Sequence, residues 1–170
     1  MSNTAFEDYG EVTLAEVLDA RDKRVEKQRE LLEKYNCALV CFTMNIAGPV
    51  KASRAIDSAF DHGCERLAAM LPEKWIKQLS KQYSKCGPLC FAVVDADPVE
   101  VKKLCVSIEE ESPVGRLFDM DVIAPDGRKL DRAVERRCIV CGKQGRACAA
   151  SRAHSVSELQ KATADLLKKY

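Results

Sequence analysis

Hydrophobic and polar positions over the first 36 residues recur at helical spacing. Thr13 starts a capping box because Glu16 follows it by three residues, and apolar residues then repeat at helical intervals up to Tyr35. This pattern predicts one N-terminal helix within residues 1–36. Arg21 falls in the apolar stripe, where a cation needs an anionic partner or must reach solvent. We expect either a salt bridge at the helix edge or a contact with a ligand.

Residues 37–131 show the patterns of an α+β core. Alternating or continuous apolar runs predict strands, and Ser53 and Asp97 are typical N-caps, each of which predicts a helix after it. The predicted strands are residues 38–46, residues 75–83, residues 89–94, residues 117–123 and a short fifth strand near residues 128–130.

The order of these elements predicts the sheet. Strand–helix–strand–strand–helix–strand is typical of the ferredoxin-like split βαβ, in which two helices cover one face of four antiparallel strands. The first and fourth strands are neighbours in that arrangement, so residues 45–51 should lie beside residues 115–119. The alternative is a nucleotidyltransferase sheet of the polymerase-β type, with a different strand order. We expect a single domain over residues 1–170, with the N-terminal helix as an addition to the core.

Composition places the chain among ordinary globular proteins. It has 170 residues, of which 46% are hydrophobic and 31% are charged. No apolar run approaches the roughly 20 residues that a membrane span requires. Residues 1–10 are acidic and polar, unlike a secretory signal or a transit peptide. We therefore expect a soluble, cytoplasmic protein with no membrane partner.

The net charge of +1 is unevenly distributed. Residues 128–154 hold eight Lys and Arg against two Asp and Glu, whereas residues 1–127 hold 16 against 22. A basic segment on an acidic body predicts a local anion site rather than a nucleic-acid surface. A solvated basic loop is the alternative. Most of this segment lies in residues 132–170, here called the C-terminal extension, which is predicted to end in a helix.

Two carboxylates one residue apart form the most informative pattern. On the predicted strand at residues 117–123, Asp119 and Asp121 face one side while the apolar residues around them face the other. Adjacent like charges repel unless a cation lies between them, and such pairs bind Mg²⁺ together with ligand phosphates. The pair therefore predicts a Mg²⁺ site for phosphoryl transfer. The alternative is an exposed strand whose polar face is acidic.

Polar and basic residues are predicted at the same end of the sheet. Lys51 and Arg116 would supply positive charge for a polyphosphate, and Asn45 would lie near the carboxylates. Gly48 would let the backbone come close to such a ligand. Lysine and arginine are more often solvated rim residues, which is the alternative for both.

Nine cysteines are many for this length, and without a secretory signal we expect reduced thiols rather than disulfides. A Cys-x-x-Cys-Gly segment is typical of a zinc knuckle, and a later cysteine and histidine could complete a Cys₃His site. The candidate zinc ligands are Cys138, Cys141, Cys148 and His154. The irregular spacing of the second pair leaves an alternative: a loop pinned by buried thiols, with an anion-binding surface formed by Arg136, Arg137, Arg146, Arg152 and His154.

Several motifs, in a fixed order, resemble one known family. They are Leu18-Asp-Ala-Arg21-Asp22, Asn45-Ile-Ala-Gly48-Pro49-Val50-Lys51, Gly115-Arg116-Leu-Phe-Asp119-Met-Asp121-Val122, and the segment from Arg137 through Ser155. Together they are similar, over most of the chain, to the apo-citrate lyase phosphoribosyl-dephospho-CoA transferases, also called holo-citrate lyase synthases (CitX family). The chain departs from that pattern at Ala47, where proline is expected before Gly-Pro.

The resemblance implies a specific reaction. Members of this family transfer the phosphoribosyl-dephospho-CoA group of 2′-(5″-triphosphoribosyl)-3′-dephospho-CoA to a serine of the citrate lyase acyl carrier (gamma) subunit, and they release pyrophosphate. It implies that Asp119 and Asp121 bind Mg²⁺ and serve catalysis beside Arg116. The residues expected to bind the substrate are Arg21, Asn45, Gly48, Lys51, Arg137, Arg152 and His154.

Two other functions fit the sequence. One is the same transfer to another acyl carrier protein, such as that of a malonate decarboxylase. The other is a non-catalytic binding module stabilised by Zn²⁺. Because acyl carrier proteins are usually acidic, the basic stretch at residues 128–152 is the expected surface for docking the carrier.

Overall fold

Five α-helices and four β-strands make up the part of the chain that the computed structural model describes, residues 9–168 and residue 170. The prediction that residues 1–10 are unlike a secretory signal or a transit peptide falls largely on residues 1–8, which lie outside the described residues. In chain order the elements are α1 (Leu14–Tyr35), β1 (Ala38–Met44), α2 (Arg54–Met70), β2 (Ile76–Gln82), β3 (Leu89–Val94), α3 (Pro98–Glu110), β4 (Phe118–Ile123), α4 (Gly145–Ala150) and α5 (Val156–Lys168).

The N-terminal helix α1 begins at the predicted capping box. The Thr13 hydroxyl accepts a hydrogen bond from the Glu16 backbone N–H at 3.2 Å, and the Thr13 N–H donates to the Glu16 carboxylate at 2.7 Å. These two bonds satisfy donors that a helix start otherwise leaves without partners. The helix ends at Tyr35, and Asn36 caps it in the left-handed conformation. The predicted helix is therefore confirmed over residues 14–35.

The four strands form one antiparallel sheet in the order β2-β3-β1-β4. β1 and β4 are neighbours, with Thr43 opposite Asp119 and Cys41 opposite Asp121. The pairing extends past the end of β1, because the Asn45 N–H donates to the Leu117 carbonyl at 2.7 Å. The predicted adjacency of the first and fourth strands is confirmed.

Several predicted strand ends differ from the structure: β1 ends at Met44 rather than at residue 46, and β2 spans Ile76–Gln82 rather than residues 75–83. Trp75 lies in a short 3₁₀ turn before β2, and Leu117 lies in another before β4. The predicted fifth strand near residues 128–130 is wrong. A turn at Gly127 does bring Lys129 back against Ile123, but only as an isolated bridge, and after Leu130 bonds to Val122 the chain leaves the sheet.

Each face of the sheet is covered by helices. On one face, α2, α3 and α5 bury the main core. In this core the Phe42 ring packs against the rings of Phe60 and Phe118, with centroid distances of 4.9 and 5.2 Å, respectively. On the other face, Leu31 of α1 packs against Leu39 and other apolar residues of β1, β3 and β4. The alternation of residues along β1 thus produces two separate cores, as the period of a strand requires.

The C-terminal extension contains α4 and α5. None of residues 131–162 is buried, whereas α5 inserts Thr163, Ala164 and Leu167 into the protein. α5 also covers the loop after β1: Gly48 has a φ of +85°, and a Cβ there would collide with the Gln160 side chain. Among the described residues, no helix combines the length and apolar character needed to cross a membrane.

Candidate active site

The two carboxylates predicted from the Asp-x-Asp pattern lie side by side on β4. Asp119 and Asp121 are partly buried and point to the same face of the sheet, as alternate residues of a strand do. Lys129 contacts the Asp121 carboxylate at 2.7 Å, and Arg136 lies 3.8 Å from Asp119. Burial and the neighbouring charge of Asp121 raise the pKa of Asp119, although Arg136 and Lys129 partly offset them. The pair therefore concentrates negative charge that nearby cations balance only in part.

The backbone between the two carboxylates is fixed from the free edge of the sheet. Because β4 is an edge strand, the N–H and carbonyl of Met120 have no strand partner on their outer side. Two side chains of α3 replace that partner: Glu109 accepts from the Met120 N–H at 2.8 Å, and Lys102 donates to its carbonyl at 2.9 Å. This arrangement sets the position of both neighbouring aspartates.

Glu109 also connects β4 to the C-terminal extension. Only 2% of its surface is exposed, and its carboxylate pairs with Arg136 and lies 3.7 Å from Arg132. Burial raises the pKa of Glu109, against the opposing effect of the cations around it. Glu109 Oε2 and Arg132 Nε are buried without a hydrogen bond, so charge attraction rather than hydrogen bonding joins them.

The sequence interpretation did not identify Lys102, Glu109, Lys129 or Arg132 as part of the site. The sequence does contain a signal for Lys102 and Glu109. Lys102 and Glu109 are seven residues apart and flank the apolar stripe of α3, so both face the sheet. Charged residues at such positions are buried together or turned outward, and here they are buried against Met120.

A cleft of about 960 Å³ opens in front of the carboxylates, between β4 and the C-terminal extension. Eight lysine and arginine side chains line it against four acidic ones. Its volume is at the upper end of the range for cofactor and ligand sites. The cleft is therefore suited to a large, multiply charged anion.

The structure brings most of the predicted site residues to this cleft. The residues that line it are Asn45, Arg116, Asp119, Asp121, Arg137, Arg152 and His154, together with Cys138 and Cys148. Arg116 joins its two walls, because its guanidinium donates to the backbone carbonyl of Arg137.

Three predicted substrate-binding residues do not line the cleft. Lys51 turns its ammonium back onto the Ile46 carbonyl at 2.5 Å, and burial lowers its pKa. Gly48 packs against Gln160 of α5, and Arg21 is exposed on α1. Arg24, one turn further along α1, is close enough to the Cys41 thiol to act on its pKa, which burial raises to about 11.

The predicted cysteine–histidine group is assembled at the outer wall of the cleft. The ligand atoms of Cys138, Cys141, Cys148 and His154 all lie within 4.8 Å of one another. Burial raises the pKa of the Cys138 thiol, but hydrogen bonds from the Cys141 and Val140 backbone outweigh it and lower this pKa to about 7. The hydrogen bond with Cys141 raises the pKa of Cys148 to about 11.

The comparisons with known proteins agree with one another on a single family. The model of a family described as "CitX: Apo-citrate lyase phosphoribosyl-dephospho-CoA transferase" matches residues 12–170. A protein of Vibrio cholerae serotype O1 (strain M66-2), named "Probable apo-citrate lyase phosphoribosyl-dephospho-CoA transferase", is 36% identical over 87% of this chain and 87% of its own. Proteins of Citrobacter koseri and Escherichia coli O1:K1, given that name without "Probable", are 32% and 31% identical. They match 87% and 91% of this chain and 84% and 87% of their own.

Proposed function

Since the chain belongs to the apo-citrate lyase phosphoribosyl-dephospho-CoA transferase family, we propose that it modifies the citrate lyase acyl carrier (gamma) subunit. The proposed donor is 2′-(5″-triphosphoribosyl)-3′-dephospho-CoA, the acceptor is a serine of the carrier, and the by-product is pyrophosphate. The family consists of transferases, so an enzyme is favoured over a non-catalytic binding module.

The observation that carries this proposal is the carboxylate pair of β4 facing a cationic cleft. A triphosphate bears several negative charges, and the eight basic side chains of the cleft match them. A triphosphoribosyl group joined to dephospho-CoA is also long, and a volume of about 960 Å³ accommodates much of it. Asp119 and Asp121 would then lie next to the phosphates rather than in open solvent.

The donor set of Asp119 and Asp121 fits Mg²⁺, which proteins commonly bind through one or two carboxylates while the substrate phosphates complete the coordination. When bound, Mg²⁺ would withdraw charge from the phosphates and favour departure of pyrophosphate. Lys129 and Arg136, which contact these carboxylates, would have to turn partly toward the substrate.

In the proposed reaction the serine hydroxyl attacks the phosphorus that is joined to the ribose. The new bond is between the serine oxygen and this phosphorus, and the bond to the bridging oxygen of the pyrophosphate breaks. One of the two aspartates accepts the hydroxyl proton. Arg116 and Arg137 would neutralise the departing pyrophosphate, and Arg152 also lines the cleft.

We also propose that the sheet belongs to the ferredoxin-like type. Two features support this assignment: the order of elements from β1 to β4 and the antiparallel strand order β2-β3-β1-β4. α1 and the C-terminal extension would be additions to that core. The basic stretch at residues 128–152 is the surface proposed for docking an acidic carrier protein.

The test is intact mass spectrometry of the citrate lyase gamma subunit. The carrier is incubated with this protein, Mg²⁺ and the triphosphoribosyl precursor, with and without EDTA. We expect a mass increase equal to the prosthetic group, absent with EDTA and absent from a carrier whose acceptor serine is alanine. The carrier of a malonate decarboxylase, tested in parallel, should react far more slowly. No mass increase on a competent gamma subunit would contradict the proposed function.

A further inference from the structure

The segment from Asp131 to Ala162 has defined structure but no core of its own. None of its residues is buried, and its helix α4 has six residues. A helix this short is not stable in water by itself. Small segments without an apolar core are usually held by a disulfide or by a metal ion. Something other than hydrophobic packing must therefore hold this segment in place.

The cysteine–histidine group has the dimensions of a metal site. The Sγ atoms of Cys141 and Cys148 are 3.5 Å apart, and His154 Nε2 is 3.3 Å from Cys141 Sγ. Zn–S bonds of about 2.3 Å and Zn–N bonds of about 2.0–2.1 Å in a tetrahedron place ligand atoms roughly 3.5–3.8 Å apart. Little movement would therefore be needed for four ligands to surround one ion.

The backbone around Cys138 is arranged as a knuckle. The Val140 N–H points at the Cys138 Sγ at 3.4 Å. The Cys138 N–H donates to the Lys143 carbonyl at 2.7 Å, and Gly142, at a φ of +71°, returns a bond to the Cys138 carbonyl at 3.0 Å. Such a turn presents the two thiols of a Cys-x-x-Cys segment to the same point in space.

We propose that this segment binds one structural Zn²⁺ ion. The four ligands are Cys138, Cys141, Cys148 and His154. Four protein ligands leave no open coordination position, which is the property of a structural rather than a catalytic zinc site. Three thiolates and a neutral imidazole around Zn²⁺ carry a net charge of −1. The arginines at positions 137, 146 and 152 lie in the same segment and offset that charge.

The position of the ion gives it a role in the cleft. Arg137 precedes the first ligand, and its carbonyl accepts from Arg116 next to β4. Arg136, one residue earlier, pairs with Glu109. By fixing the segment that starts at Cys138, Zn²⁺ would hold the arginine-bearing wall of the cleft against the carboxylate face of the sheet. This inference does not depend on which carrier or donor the enzyme uses.

The first test is metal analysis of the full chain, purified in the presence of a reductant. We expect one zinc per chain. Loss of zinc is expected in Cys148→Ser and in His154→Ala, and recovery of zinc in His154→Cys, which restores a fourth ligand. Cys86→Ser is the matched control: Cys86 is a half-buried thiol outside the group, so this variant should keep its zinc.

A second measurement uses the unaltered chain. Replacement of zinc by Co²⁺ should give the strong visible absorption of tetrahedral cobalt with thiolate ligands. Removal of the metal should expose residues 132–155 to trypsin while the sheet core resists cleavage. A folded, reduced chain without zinc, a different metal in stoichiometric amount, or a Cys141–Cys148 disulfide in the purified protein would each overturn the proposal. Neither measurement requires transfer activity, so failure here is distinct from failure of the proposed function.

Discussion

The two edge strands of the sheet are bordered by charged side chains of different kinds, exposed at β2 and buried at β4. β2, at one edge, carries Lys77 and Lys81, which pair on the surface with Asp95 and Asp61 at 3.0 and 2.6 Å. β4, at the other edge, has its backbone bonded by Lys102 and Glu109, both of them buried. Surface lysines are a common way of keeping an edge strand from pairing with another chain. Bonding an edge strand through buried charged side chains is not a common way of doing so.

The difference between the two edges indicates that the side chains of β4 must be held in accurate positions. Burying a charged group is unfavourable unless its partners compensate, and apolar residues of similar size would often serve stability better. The arrangement at β4 therefore stabilises a geometry rather than the fold in general. That geometry is the placement of Asp119 and Asp121, which lie on either side of the bonded Met120.

The largest expected effect is on the transfer rate, and it is tested by comparing Asp121 of β4 with Asp61, which pairs with Lys81 of β2. Asp121→Asn should reduce transfer to the gamma subunit by about 100-fold or more, because the proposed Mg²⁺ site loses a charged ligand. Asp61→Asn is the matched change at the β2 edge and should leave the transfer rate within about twofold of the original. Rates are measured by mass spectrometry and folding by circular dichroism. Normal turnover by Asp121→Asn would exclude this aspartate as a metal ligand.

A smaller effect is expected on stability. Glu109→Ala leaves Arg132 and Arg136 without their buried anion and Met120 without its acceptor. The free energy of unfolding should therefore fall by about 3 kcal/mol. Lys81→Ala, at the exposed β2 edge, should lower it by only about 0.5 kcal/mol. Urea unfolding measures both.

Glu109→Gln refines this comparison, because the amide oxygen still accepts from Met120 while the charge is lost. It should be less destabilising than Glu109→Ala. Equal losses for the β2 and β4 variants would show that the buried bonds at β4 contribute no more than a surface ion pair does.

The smallest effect concerns pH and belongs to the β2 edge. Burial alone would raise the pKa of Asp61, but hydrogen bonds from Lys81 and Tyr83 outweigh it and hold the pKa below its ordinary value. Such a carboxylate stabilises the folded state above the ordinary aspartate pKa of about 3.9, and this contribution is lost as the pH falls through the lower, folded value.

Urea midpoints between pH 7 and pH 3 test that sign. The difference in midpoint between the original chain and Asp61→Asn should be small at pH 7 and should shrink further as the pH falls below the ordinary aspartate pKa of about 3.9. A difference that grows as the pH falls would mean that the pKa of Asp61 is raised instead.

Local patterns predicted those parts of the molecule that depend on neighbouring residues. The alternation along β4 predicted the common face of Asp119 and Asp121, because burial on a strand repeats every second residue. The pairing of β1 with β4 was predicted from the order of the elements. The spacing of the cysteines likewise predicted a group that the structure assembles.

Features that depend on distant contacts were not predictable in this way. The position of Lys51 depends on the loop after β1, in which Gly48 lies against Gln160 of α5 and the Lys51 ammonium donates to the Ile46 carbonyl. The role of Glu109 was missed because a charge beside an apolar stripe is usually solvated. The fifth strand was overpredicted because one bridge at Lys129 does not continue into a ladder.

The contact between Gly48 and α5 has a consequence for the order of folding during synthesis. A ribosome releases α5 after every strand of the sheet, yet α5 covers the loop that follows the first strand and inserts Leu167 into the main core. The nascent chain can pair its strands early, but it must keep that part of the core exposed until α5 arrives. A chain interrupted before α5 would therefore present apolar surface to chaperones and proteases instead of a finished binding cleft.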